Sequence, residues 1–420
     1  MKKFMRLAVT LYLSVALIAA LGCKKKEEGQ DESKKKENKK SRPEQRASQE
    51  GEEKEKARDT RPQDGKLPAV KLSKEPSKEE QTTATELAKK LADKTKSSAE
   101  HQKKENARSF LILAAQHKDA QVVSEALRGL YSTYGSGKTP IDDDFINVVG
   151  ARLGSADHKV LAAAMRPANL ALQAKKGSEP LLNALAKIIA SNDSAAQHAA
   201  LGLLSLQSRK SIQKESIARA VIKALDSKHA HVVAKTLSVL RSSGNEDMPK
   251  AEDIVKTVEG LLKHTNPAVR GEACEVLAAF VPFGIKGEKK AAVMAESVIP
   301  LLNDKNAFTK SRAAGALARV KYKKAIHEIV KHLDDKRKNT YDIKFMSIWG
   351  RSESDHFDGS PWSRVDDAML HALKIMTVFD GKNAFSYEIN SDTLDKDIEE
   401  AVKKAKKWYK KNKESIDNPK

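Results

Sequence analysis

A histidine next to a carboxylate can hold a metal ion or move a proton, because both side chains are metal ligands and imidazole titrates near neutral conditions. This chain offers His327-Glu328 and, in a tighter group, Asp355-His356-Phe357-Asp358. Neither grows into a ligand set. His327-Glu328 is the one His-Glu dipeptide, and His327 stands where comparable helices carry Pro180 and Pro300, so a surface position is expected. The second group has oxygen and nitrogen donors close together but no loop of recognised metal spacing. His229 and His231 flank the turn into a helix, where polar residues serve as caps or face solvent. Gly135-Ser136-Gly137-Lys138-Thr139 lacks the first glycine of a phosphate loop and follows a helix, not a strand, so it is expected to be a turn. Asp142-Asp143-Asp144 precedes a helix, whose amino-terminal dipole favours negative charge. No serine or cysteine occupies a nucleophile elbow. The sequence therefore assigns no catalytic residue, no metal and no cofactor.

The elements that carry these residues repeat along the chain. One pattern, an apolar residue followed by a small one four positions on and apolar residues after seven or eight, fits Val122/Ala126/Leu130, Val160/Ala164/Ala168 and Ala196/Ala200/Leu203/Leu204. It continues in Val232/Thr236/Val239/Leu240, Val269/Ala273/Val276/Leu277 and Thr309/Ala313/Ala316/Leu317. The starting positions step by roughly 36 to 40 residues, the range of helical repeats. The spacing puts each set on one helical face. A leucine-rich segment precedes several of these helices, as at Glu179 to Leu185, Ile254 to Leu262, Val298 to Asp304 and Ala325 to Asp334. Each unit is thus a helix pair, with alanines allowing close approach and leucines filling the layer between. Cys274, beside Ala273 and Val276, is expected to be a small buried thiol.

The string Asn266-Pro267-Ala268-Val269-Arg270-Gly271-Glu272-Ala273-Cys274-Glu275-Val276-Leu277 resembles the second helix of a HEAT repeat, in which Asp or Asn and Pro open the turn and Val-Arg begins the helix. Leu225 to Val232 and Leu302 to Ala307 enter their helices in the same way. The likeness covers about Ala107 to Leu333 and extends more weakly to Val378; the arginine recurs elsewhere only as Lys310. It is similar to the HEAT-like repeats of the phycobilisome-lyase type. It implies an all-α solenoid of about six to seven helix pairs, a class whose members commonly bind proteins. HEAT-like relatives also include deoxyhypusine hydroxylases, which build a di-iron centre from several His-Glu pairs, and DNA-repair glycosylases. A metal-dependent hydroxylase or lyase, or a basic solenoid binding nucleic acid or another polyanion, is therefore the alternative to a non-catalytic scaffold.

On this reading residues 107–335 hold the repeats, 336–362 an insertion, and 363–420 the last repeat helix and a cap. The insertion carries Tyr341, Phe345, Trp349, Phe357 and Trp362 in a chain that is only 5% aromatic. Covering the open end of the solenoid is the expected role, with a recognition loop as the alternative. Leu394, Ile398, Val402, Ala405 and Trp408 form one stripe of the final helix. For the scaffold, partner-binding positions are expected along the second helices at Lys159, Gln197, Lys235, Arg270 and Lys310, facing solvent, and in the insertion at Trp349 and Trp362.

The first residues set the expected compartment. Met1 to Arg6 is basic, Leu7 to Leu21 is apolar, and Ala20-Leu21-Gly22-Cys23 closes the run with small residues around a thiol. This is the layout of an export signal, too short for a membrane span. It resembles a bacterial lipoprotein signal, with Ala20 where that family usually has leucine. The resemblance implies cleavage after residue 22, lipid on Cys23, and anchoring in the cell envelope; Lys24 in place of an aspartate favours the outer membrane, facing the periplasm. Residues 23–106 follow as a linker rich in Lys, Glu, Ser and Gln, too poor in apolar side chains to offset the entropy of folding. Only Ala84 to Lys96 shows a short amphipathic stripe. The net charge of +20 would suit anionic lipid or an envelope polymer. An exported chain does not meet DNA, so the expected partners are a protein or peptide on the solenoid and the membrane through the lipid.

Overall fold

Apolar residues placed on one face of successive helices leave water only when the helices stack, and stacked pairs are what this chain forms. The computed structural model describes residues 107–417 except 136–139, 175–177, 208–212, 244–247, 282–284, 359–363, 380–381 and 384–394, together with Lys78, Thr82 and Glu86. The export signal, Cys23, the linker apart from those three positions, most of the glycine-rich turn after Gly135, and Trp362 lie outside the described residues.

The first pair is α1 (Ala107–Ala114) with α2 (Ala120–Gly135), the second α3 (Asp143–Leu153) with α4 (His158–Ala174), and the third α5 (Glu179–Ile189) with α6 (Ser194–Ser205). Next come α7 (Glu215–Leu225) with α8 (Ala230–Ser243), and α9 (Ala251–Leu261) with α10 (Pro267–Ala279). The sixth pair is α11 (Ile285–Val298), running into a 3-10 turn at Ile299–Asn303, with α12 (Ala307–Arg319). The short α13 (Ile326–Val330) is separated from its partner by strands β1 (Thr340–Met346) and β2 (Ser352–Asp358), and α14 (Val365–Met376) completes the seventh pair. After a two-residue ladder of β3 (Val378–Phe379) and β4 (Lys382–Asn383), helix α15 (Asp395–Asp417) packs on α13 and α14. The second helices contact one another in order from α2 to α14, and the first helices do so from α1 to α9. This is a two-layered α-solenoid with a terminal capping helix, as the repeat period implies.

Turn chemistry repeats with the helices. Asp142, Asp193, Asn266 and Asn306 precede a helix in extended backbone, and each side chain accepts a backbone N–H of the first turn. These bonds satisfy donors that a helix start leaves unpaired. Beyond the caps, polar side chains tie each second helix to a turn. Gln197 donates from Nε2 to the carbonyls of Ile189 and Ser191 at 2.9 and 2.7 Å. Arg270 grips Asp304 of the next unit with two bonds of 2.7 and 2.9 Å and donates to the carbonyls of His264 and Thr265. Lys310 reaches Asp335 of the following unit at 3.2 Å. Gln197, Arg270 and Lys310 are all buried. The expectation that they face solvent fails, because each has a turn within reach that needs its donors.

The insertion departs from the expected cover for the open end. It is an antiparallel hairpin in which Thr340 pairs with Asp358 and Met346 with Ser352. The hairpin lies against α8, α10 and α12, which puts it on the second-helix layer. Tyr341, Ile343 and Phe345 alternate with the exposed Thr340, Asp342, Lys344 and Met346, the period of a strand with one buried face.

Candidate functional site

The hairpin divides the second-helix layer into a covered part and an open part. Two strands present alternate residues to the same side, so Phe345, Asp355 and Phe357 all face the helices. Phe345 sits 4.0 Å, centroid to centroid, from His198 of α6 and stacks on His231 of α8 at 5.1 Å. Phe357 meets Phe308 of α12 edge-on at 6.0 Å. Asp355 accepts from His198 Nε2 at 2.6 Å. Burial alone would raise the Asp355 carboxyl, but the His198 hydrogen bond, with Lys235 and His231 nearby, brings it below its ordinary value. Burial, together with His198 and His229, pushes His231 down to about 4, so it is neutral in the fold.

Beneath and beside the hairpin, α10 and α12 are buried on nearly every side. All residues of α10 from Ala268 to Ala278 are buried, as are those of α12 from Ala307 to Ala318 apart from Gly315. The two helices approach closely at Gly271, where an added Cβ would lie 2.6 Å from the Phe308 ring. The charges held there are paired: Glu272 lies 3.1 Å from Arg241 of α8 and 3.3 Å from Arg312 of α12, and Arg312 also covers the Phe308 ring at 5.1 Å. Burial raises the Glu275 carboxyl in the same cluster, with Arg312 opposing it. Buried charge of this kind is tolerated only when paired.

The open part lies toward the amino-terminal repeats. Between the hairpin tip and helices α2, α4 and α6 runs a cavity of about 510 Å³, walled by Tyr131, Met165, Leu203, Leu206, Ile348 and Trp349, with Arg166, Asn169, Lys235 and Glu353 at its polar margin. Trp349 is 56% exposed and Leu206 63%, high values for side chains of that size. The tip is well held. Ser347 donates its N–H and its hydroxyl to the Arg351 carbonyl at 2.9 and 3.1 Å, Gly350 turns with φ +67°, and Ile348 is buried.

The structure sorts the expected site residues. Lys159 is exposed, Lys235 is half-buried at the cavity edge, and Trp349 is exposed at the hairpin tip. Gln197, Arg270 and Lys310 are buried ties between units, and Trp362 lies outside the described residues. His327 is not the surface residue expected: its Nδ1 is 2.8 Å from the Tyr409 hydroxyl of α15 and it is half-buried. His231 is buried under Phe345, not at the surface. In the second candidate group, Asp355 goes to His198 while His356 pairs across the strands with Asp342 at 2.6 Å. Among the described residues no group of three or more His, Cys, Asp or Glu side chains is arranged to hold a metal ion. Cys274 is fully buried, and burial keeps its thiol well above the ordinary range. Sequence reasoning missed the cavity, whose walls come from three helices and the hairpin; the aromatic excess of the insertion was its visible sign.

No family model matches the chain, and no curated protein matches it. Solved structures that it is similar to include a HEAT-like repeats protein from the archaeon Thermococcus onnurineus NA1, at 15% identity and TM-score 0.41 over 59% of this chain and 99% of that one. Kap121p aligns at 12% identity and TM-score 0.43 over 71% of this chain and 36% of that one. A designed armadillo repeat protein in complex with the peptide (KR)4 aligns at 14% identity and TM-score 0.36 over 62% of this chain and 98% of that one.

Proposed function

We propose that this protein is a non-catalytic scaffold that holds a protein or peptide partner on its second-helix face, and that it does so at the surface of a membrane, as an exported lipoprotein attached through Cys23. The observation that carries the scaffold reading is how the polar and apolar groups are divided. The side chains that could do chemistry are engaged in structural pairs: His198 with Asp355, His356 with Asp342 and His327 with Tyr409. Large apolar side chains, in contrast, stand exposed around one cavity. A stacked-repeat architecture suits that task, because a continuous layer of helices supplies an extended surface on a rigid frame. Anchoring rests on the sequence alone: the basic start, the apolar run and the small residues before Cys23. No described helix is long and apolar enough to cross a membrane. The lysine-rich linker, within a chain of net charge +20, would keep the solenoid near an anionic surface while letting it reach a partner.

The test replaces Cys23 with alanine, labels cells with a palmitate analogue, and fractionates both versions before crosslinking the wild type in place. Label on the wild type only, membrane recovery lost in the variant, and one defined protein trapped by the repeats is the expected result. An unlabelled chain recovered inside the cell would remove the anchoring and return nucleic-acid binding to consideration. A trapped partner without label would leave the scaffold and discard the lipid.

A further inference from the structure

We infer that the cavity at the hairpin tip binds an acidic peptide segment through a bulky apolar side chain, with Trp349 as its main contact and Arg166 as the cation that selects the acid; this rests on the scaffold reading above. Single exposed hydrophobic residues need no explanation, but clustered ones do. Of the large apolar side chains that stand exposed among the described residues, Tyr131, Leu206 and Trp349 line this one cavity. Met346, on the outward face of the hairpin, and Val293 do not. Trp, Tyr and Arg are also the residue types on which binding energy concentrates at interfaces.

The polar margin chooses between occupants. Arg166 is exposed and forms no ion pair with a described residue, and Lys235 lines the same cavity, against the single carboxylate of Glu353. Asp355 also bears on Lys235 but does not line the cavity, whose own walls carry two cations against one carboxylate. An apolar segment flanked by carboxylates complements that balance; a basic one would be repelled. The cavity is large enough for one or two side chains and is open to an extended chain. Rigid presentation also favours binding: the Ser347 to Arg351 bonds and the buried Ile348 fix the turn that displays Trp349, so little backbone ordering remains to be done on association.

The experiment is a selection of displayed random dodecapeptides on the full-length protein, followed by fluorescence anisotropy with synthetic, labelled copies of the enriched peptides. The expected enrichment is an aromatic residue or leucine within three positions of Asp or Glu. Trp349→Ala should weaken binding about tenfold or more. Arg166→Glu should weaken the acidic peptide and restore binding to the same peptide with its acids changed to lysine. Both side chains are exposed, and unchanged thermal melts will confirm that the variants fold. Peptides that bind equally well to both variants would overturn this site while leaving the scaffold standing. Failure of any peptide to exceed its scrambled control would overturn the peptide site, while the scaffold would still stand or fall with the crosslinking above. A concentration-dependent dimer in sedimentation, abolished by Trp349→Ala, would assign the patch to a second copy of the chain and overturn the peptide.

Discussion

The same repeat template builds two different surfaces on one layer of helices. In α4 and α6 the side away from the first helices is open: Arg166 and Ser205 are exposed, and Ala199 and Gly202 are half-buried. In α10 and α12 the equivalent side is closed, and it holds Glu272, Glu275 and Arg312 out of water. The difference does not come from helix propensity, since all four helices are alanine-rich. It comes from a hairpin inserted between the helices of the last unit that returns across three earlier ones. A solenoid that would otherwise offer a uniform surface is thereby restricted to its amino-terminal half, and the hairpin tip becomes a wall of the part left open. The covered half should respond to substitution like a protein core, and the open half like a surface.

Phe308 gives the largest contrast. Its ring is fully buried between Gly271, Arg312 and Phe357. Phe308→Ala should cost about 3–5 kcal/mol in chemical denaturation, because a large cavity opens where two helices and the hairpin meet. A loss under about 1 kcal/mol would mean that the hairpin does not close this half. Arginines test the same division with charge. Arg312→Ala removes a partner from the buried Glu272 and should cost about 3 kcal/mol, whereas Arg166→Ala at the open cavity should stay within about 0.5 kcal/mol. Equal effects in the two variants would erase the distinction between covered and open halves.

Acid should weaken the seam where the hairpin meets α6 and α8. A base whose pKa is depressed by folding binds fewer protons in the fold than in the unfolded chain, so its stability contribution is complete above the unfolded value and is lost as pH falls toward the folded one. For His231 that window runs from about 6.5 down to about 4. Across it the protein should lose up to about 2–3 kcal/mol. Below it, protonation of Asp355, whose carboxyl lies under its ordinary value, should withdraw the bond to His198 as well. The groups bearing on His231 are His198, His229 and Asp355, so a His231→Phe variant, which keeps the ring under Phe345, should flatten the first loss and leave the second. Thermal melts of both proteins between pH 7 and 3.5 check this.

The solenoid was legible because each helix pair must bury the same stripe, which writes a period into Val122, Val160, Ala196, Val232, Val269 and Thr309 that no strand would produce. The helix starts at Asp142, Asn266 and Asn306 were legible for a local reason, since each side chain and the amides it serves are two or three residues apart. The hairpin carried a readable signal, the alternation of Tyr341, Ile343 and Phe345 with Thr340, Asp342 and Lys344. An excess of aromatic residues suits a covering loop as well as a strand, and only their spacing separates the two. What the sequence did not disclose was where the hairpin lands. His198 and Asp355 are 157 residues apart, and no local pattern records such a pairing. The cavity inherits that difficulty, since Trp349 and Tyr131 meet only after the hairpin has folded back.

The smallest effect tests the error about lysines. Lys159 and Lys310 occupy the starts of second helices and looked alike in sequence as solvent-facing positions. Their surroundings differ because the acid that holds Lys310 lies 25 residues further on, in the turn of the next unit. Lys310→Ala should therefore destabilise by about 1.5–2 kcal/mol, the lower part of the range for a hydrogen bond to a charged group. The loss stays moderate because Arg337 still donates to both oxygens of Asp335, at 2.8 and 2.6 Å, and so leaves no unpaired carboxylate. Lys159→Ala should change stability by less than about 0.5 kcal/mol. If Lys159→Ala proved as costly as Lys310→Ala, the open half would be hiding a contact of its own. A Lys310→Ala variant as stable as wild type would mean that the ties between units add nothing to the packing of the helices themselves.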